Sequence, residues 1–212
     1  MNGINPSYPL LEIDLDKLKH NLAASVGRCQ SRSIDVAGVV KGFTALPEVV
    51  RVYIDCGIQC IASSRLGQLR ALRDEGIACE RFLIRVPMRS ELPEVAELAD
   101  MSLQSDLETL RALDAVCAQQ GRRHKVLLML DRGDLREGFW GETELTAAAL
   151  EVEYGLNHLE LTGIGTNLGC YGSIAATPEK MRELVSAAET VERAIGRRLR
   201  YISGGASTSM HR

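Results

Sequence analysis

Val126-Leu127-Leu128-Met129-Leu130 is an unbroken apolar run, and it is cut off at once by Asp131-Arg132-Gly133-Asp134-Leu135-Arg136-Glu137-Gly138. A strand with one wet face alternates apolar and polar residues. A run without alternation is covered on both faces, which is the habit of parallel strands under helices. The pattern recurs at Val36 to Val40, Cys60 to Ala62, Phe82 to Val86, Met101 to Leu103, Leu159 to Ile164 and Leu199 to Ile202, all of which read as fully buried strands. Between the runs lie segments of helical period. In Thr177 to Ile195, Met181, Leu184, Val185, Ala188, Val191 and Ile195 share one stripe behind a Thr177 cap and Pro178, and Gly196 ends the helix. Ser105, with Glu108 three residues on, reads as the capping box of a second helix that buries Leu107, Leu110, Leu113 and Cys117 before Gly121.

Strands alternating with helices mean βαβ units. These strands follow an N-terminal segment, Leu10 to Leu15 and then a helix to about Cys29. A spacing of roughly 20 to 40 residues per unit suits a TIM-type (β/α) barrel. The competing layout, a doubly wound open sheet, loses its dinucleotide-binding version because no GxGxxG follows the first strand. A complete eightfold barrel takes about 250 residues. The sequence therefore predicts one domain over residues 1–212 that stops before the last barrel strand.

Composition narrows the function. Hydrophobic residues at 45% and charged residues at 25% are ordinary globular usage. The net charge of −3, from 25 basic and 28 acidic residues, comes with no basic block, so nothing points to nucleic acid and the partner reads as a small molecule. No stretch reaches the roughly 18 apolar residues of a membrane span, and Met1 to Tyr8 lacks the pattern of a signal peptide, so the chain reads as cytoplasmic. The six cysteines show no CxxC spacing, suggest neither a disulfide framework nor a zinc site, and read as mostly buried free thiols.

In a barrel the working residues lie at the carboxyl ends of the strands, and four places there carry candidate chemistry. Lys41 closes the apolar run Val39-Val40; a partly desolvated lysine can form a Schiff base with an aldehyde, although a snorkelling strand-end lysine looks the same. The charged loop Asp131 to Gly138 can position an anionic or amine substrate, or be a solvated loop with internal ion pairs. Gly163 to Gly172 allows close backbone approach to a ligand, with Thr166, Asn167 and Tyr171 offering hydrogen bonds, or is a plain glycine-rich turn. Ser203-Gly204-Gly205-Ala206-Ser207 makes a phosphate nest late in the barrel, or a flexible linker. A carbonyl-reactive lysine early and a phosphate nest late are together what a pyridoxal-phosphate barrel requires.

In these residues the sequence resembles the alanine-racemase-like family of pyridoxal-phosphate enzymes, and within it the branch typified by ornithine racemase. Ala37-Gly38-Val39-Val40-Lys41, Ala62-Ser63-Ser64-Arg65, Gly133 to Gly138, Gly163 to Leu168 with Cys170-Tyr171-Gly172, and Ser203-Gly204-Gly205 carry the resemblance along nearly the whole chain. It implies that Lys41 joins the cofactor, that Arg136 lies beside its phenolic oxygen and Asn167 near its ring, and that Ser203, Gly204, Gly205 and Ser207 hold its phosphate. It implies inversion of an amino-acid Cα, a homodimer when full length, and a longer chain. That longer chain would add the last strand, an arginine at the pyridine nitrogen, and a C-terminal β domain bearing a tyrosine base, so a chain ending at Arg212 is expected to bind the cofactor poorly and to racemise little. Tyr171 and Cys170 are the in-chain candidates for the second base. Ala206 stands where that branch tends to have asparagine, removing a donor. Asp131, Asp134 and Glu137 suggest a basic substrate such as ornithine. The alternatives are a non-catalytic pyridoxal-phosphate carrier and a D-amino-acid aldolase or dehydratase on the same barrel.

Overall fold

The computed structural model of the chain describes residues 9–170 and 174–205; Tyr171 and Ser207 lie outside them. Seven strands, β1 (Ala37–Val39), β2 (Cys60–Ser63), β3 (Glu80–Leu83), β4 (Met101–Gln104), β5 (His124–Met129), β6 (Leu159–Gly165) and β7 (Tyr201–Ser203), form one sheet in chain order. Each pairs in parallel with the next. Helix α1 (Leu15–Gln30) precedes β1, and α2 (Pro47–Asp55), α3 (Leu66–Asp74), α4 (Leu92–Leu98), α5 (Leu107–Gln120), α6 (Glu142–Gly155) and α7 (Pro178–Ile195) fill the successive crossovers. All seven strands point the same way, so all seven carboxyl ends open on one side. That common rim is what the fold offers to a ligand.

The alternation of side chains along the strands sorts the apolar residues into two layers. Val126 and Leu128 of β5 join Ile61, Leu83, Leu161 and Ile164 in a large outer layer under the helices. Leu127 and Met129 join Ala62, Phe82, Met101 and Leu103 in a smaller cluster on the other face. The sheet curls around this second cluster as an open barrel: β1 and β7, at opposite ends of the strand order, flank one cavity of about 340 Å³ lined by Ala37, Met101, Tyr201 and Ser203 among others.

Four expectations change in detail. The edge strands are not fully buried: Val39 is 42% and Ile202 45% exposed, because each edge strand has a neighbour on one side only. The cap of α5 is Asp106 rather than Ser105; Asp106 is the residue with extended backbone, and its carboxylate accepts from Thr109 N–H at 2.7 Å. On α7 the buried stripe takes in Ala187 instead of Val185, which sits on the flank and is exposed. Of the six free cysteines only Cys117 is fully buried; Cys170 is exposed and the rest are half-buried. The Thr177 cap and the left-handed Gly196 and Gly121 stops stand as read.

Polar groups also enter the outer layer. His124 Nε2 lies 2.8 Å from Ser102 Oγ, which accepts from Gln104 Nε2 at 2.9 Å, and all three side chains are buried. Burial pushes the His124 imidazole down to about 4, so it is neutral at physiological pH.

Candidate active site at the carboxyl ends of the strands

Lys41 follows Val40, whose N–H still bonds Ala62 O at 2.9 Å, and it begins a single 3-10 turn, Lys41–Phe43. Lys41 is exposed, not partly desolvated as the apolar run suggests, because β1 is an edge strand. Among the described residues its amine has no hydrogen-bond or ion-pair partner. Behind the turn, Thr44 and Ala45 take left-handed backbone at φ 58° and 56°, and Ala45 N–H returns to Val40 O at 3.1 Å. Two strained non-glycine residues in succession fix where the lysine leaves the strand. Nothing in the sequence signals that strain.

The charged loop after β5 is a built object. Phe139 N–H bonds Met129 O at 2.8 Å and Asp131 N–H bonds Phe139 O at 3.0 Å, so the chain leaves and re-enters at one point. Gly138 makes this possible: its φ is +135°, and a β-carbon there would lie 2.4 Å from Asp131 N. Inside the loop, Asp131 Oδ1 accepts from Gly133 N–H at 2.6 Å and Leu135 N–H at 3.4 Å. Asp134 is buried and accepts from Gly169 N–H at 3.1 Å. Arg132 reaches Glu142 at 2.5 Å and Glu183 at 3.7 Å, tying the loop to α6 and α7. Arg136 places Nε 3.3 Å from Glu137 Oε2 and donates through Nη1 to Cys170 Sγ at 2.6 Å, while Asn167 Nδ2 donates to Glu137 Oε1. Arg136 and Asn167, both singled out in the sequence, are thus brought together. Glu137, which joins them, reads from the sequence as a substrate-facing charge, although its adjacency to Arg136 is a usable signal.

The glycines of β6 have a different purpose from the expected one. A β-carbon on Gly163 would lie 2.1 Å from Tyr201 O, and one on Gly165 would lie 2.8 Å from Leu127 Cδ2 and 3.0 Å from Ser203 O. These two serve the close passage of β7 rather than the approach of a ligand. Thr166 N–H then bonds Ser203 O at 2.9 Å, carrying the pairing to the rim.

Ser203 ends β7, and Gly205 turns the chain at φ +87°. A β-carbon on Gly204 would lie 2.8 Å from Leu184 Cδ2 on α7, so the turn is pressed against that helix with its backbone bare. Next to it the buried Oγ1 of Thr166 has no hydrogen-bond partner among the described residues. A side-chain-free turn beside an unsatisfied hydroxyl fits a phosphate. With the uncommitted amine of Lys41 and the anchored guanidinium of Arg136 on the same rim, the residues present fit pyridoxal phosphate. Among the described residues no cluster of three or more His, Cys, Asp or Glu could hold a metal ion.

The opposite end of the barrel carries paired charges. Lys125 Nζ meets Glu80 Oε1 at 2.6 Å, which raises the lysine pKa. Beside it burial, helped by Glu80, pushes the Cys60 thiol up to about 12, so it stays protonated and unreactive.

An open parallel barrel with a free lysine after its first strand and a bare glycine turn after its last belongs to the cofactor-binding barrels. The match is specific: residues 13–212 fit the family model "Alanine racemase, N-terminal domain", and the chain belongs to that family, whose members depend on pyridoxal phosphate. It is 32% identical over 204 residues to ornithine racemase of Acetoanaerobium sticklandii, covering 96% of this chain and 57% of that protein. It is equally 32% identical over 204 residues to lysine racemase of Thermotoga maritima, covering 96% and 56%. The chain thus spans a little over half the length of these relatives. Among solved structures, alanine racemase of Clostridium difficile 630 superposes at TM-score 0.80 with 18% identity, over 96% of this chain and 55% of that one. PipY of Synechococcus elongatus, with pyridoxal phosphate bound, gives 0.67 and 15% over 87% and 97%. At these identities the structures show the fold. No helix among the described residues is long and apolar enough to cross a membrane.

Proposed function

We propose that the chain is the pyridoxal-phosphate-binding barrel of an amino-acid racemase, acting on a basic amino acid of the ornithine or lysine type. The observation that carries this reading is the rim itself, on which the Lys41 amine, unpartnered among the described residues, the fixed Arg136 guanidinium and the Ser203-Gly204-Gly205 turn occupy strand ends of one open barrel. The cofactor, when bound, supplies an electron sink that acidifies the Cα proton of an amino acid joined to it. Lys41 would be the amine that holds the cofactor, and its amine could also serve as a base on one face of Cα. Arg136 would face the cofactor's phenolic oxygen and Asn167 its ring. Ser203, Gly204, Gly205 and Ser207 would hold the phosphate.

Inversion requires a proton removed from one face and a proton returned to the other. Tyr171 is the candidate for the second face, with Cys170 beside it. The preference for a basic substrate rests on the two relatives together with Asp131: of the three loop carboxylates, Asp134 is buried and Glu137 is bound on both oxygens, whereas Asp131 Oδ2 has no partner among the described residues. The same reading makes the functional unit a homodimer. Leu46, Met88, Leu135 and Trp140, all exposed on loops that follow strands, offer apolar surface for that contact.

Borohydride reduction of the chain after incubation with pyridoxal phosphate, followed by peptide mass mapping, tests the cofactor assignment. A single adduct at Lys41 is expected; no adduct, or one spread over several lysines, overturns it. Exchange of the α-proton of ornithine or lysine in deuterated water then separates a racemase from a carrier, which binds the cofactor and exchanges nothing.

A further inference from the structure

Glu137 is where two groups of the rim meet. Its side chain is only 10% exposed, with Oε2 3.3 Å from Arg136 Nε and Oε1 accepting from Asn167 Nδ2. The two partners come from different strands, Arg136 from the loop after β5 and Asn167 from the end of β6. Asp134 with Gly169, and Arg136 with Cys170, cross the same gap, but each of those bonds reaches at most one of the pair. A carboxylate this deep is stable only when its oxygens are used, and Arg136 is the one cation paired with it among the described residues. The arrangement also leaves a donor over. Arg136 spends Nε on Glu137 and Nη1 on Cys170, so Nη2 is uncommitted among the described residues and can meet an oxyanion. A guanidinium held in this way has already lost the rotamer freedom that ligand binding would otherwise remove.

We propose that Glu137 is a positioning residue for the cofactor ring, holding Arg136 and Asn167 as one preformed unit across the β5 and β6 loops. This rests on the pyridoxal-phosphate reading above and assigns no contact between Glu137 and the cofactor.

The test is the dissociation constant of pyridoxal phosphate, followed by visible absorbance, for the wild-type chain, E137Q and E137A, and for E137A combined with R136A and N167A. E137Q keeps an acceptor for Asn167 and loses the charge facing Arg136, so the constant rises about tenfold; E137A raises it further. In the R136A/N167A background, E137A changes it by less than about twofold, because nothing remains to be positioned. An unchanged constant for E137A alone overturns the proposal. So does an equal loss in both backgrounds, which is the signature of a residue that only supports the fold. A wild-type chain that gives no Lys41 adduct removes the cofactor reading and this inference with it, a failure visible before any change at Glu137.

Discussion

Gly163 passes so close under Tyr201 that a β-carbon on it would lie 2.1 Å from the Tyr201 carbonyl oxygen. The obstacle is backbone, so no rotamer change relieves it, and Gly163 pairs with Tyr201 in the β6–β7 register. G163A is expected to cost about 3 kcal/mol or more, or to detach β7. A Tm loss of roughly 6 °C or more is the check. Because Ser203 to Gly205 hang from β7, the same variant should weaken pyridoxal phosphate more than any effect on Lys41 would explain. A variant with wild-type Tm would mean that β7 is not packed as described.

Asp106 and Ser105 provide a second, smaller test. Of the two, Asp106 is the one whose side chain bonds the open end of α5, through Thr109 N–H at 2.7 Å. D106A should therefore lose about 1 kcal/mol while S105A stays within about 0.5 kcal/mol of wild type, measured by urea unfolding. Equal losses would return the cap to Ser105.

Most of the fold was legible because it rests on patterns short enough to lie within one element. Every apolar run contributes to a strand, although Ile84 to Val86 and Leu199-Arg200 fall outside one, and Thr177, Gly196 and Gly121 cap and stop helices where their backbone preferences place them. What was not legible depends on neighbours far away in the chain. That Val39 and Lys41 are exposed follows from β1 being an edge strand, and that Gly163 serves Tyr201 follows from a register between residues 38 positions apart. The site divides the same way: Arg136 and Asn167 could be picked out singly, but the carboxylate that joins them acts across two loops and shows only in three dimensions.

His124 ties stability to pH. Its folded value, about 4, lies below the ordinary 6.5, so the folded state prefers the neutral ring and protonation favours unfolding. The contribution is complete above pH 6.5 and is lost as pH falls toward 4, amounting to on the order of 3 kcal/mol across that window. H124Q, which can still reach Ser102, should flatten this part of the stability profile. If the wild-type and H124Q unfolding curves shift in parallel between pH 7 and 4, the imidazole is not buried neutral.

The Asp131 carboxylate allows substrate choice to be separated from loop folding. Its Oδ1 caps Gly133 and Leu135, and an asparagine amide oxygen can do the same, so D131N keeps the loop and removes only the charge. If Oδ2 receives the distal ammonium of a basic substrate, D131N raises KM for ornithine or lysine about tenfold, the scale of one charge-assisted hydrogen bond, and barely alters KM for alanine. Loss of activity toward all three would mean that Asp131 supports the loop alone. Unchanged KM values for all three would place recognition of the basic side chain elsewhere on the rim. Because a charge interaction at a half-buried position is screened by salt, the selectivity for ornithine over alanine in the wild type should also fall as ionic strength rises, and D131N should abolish that dependence.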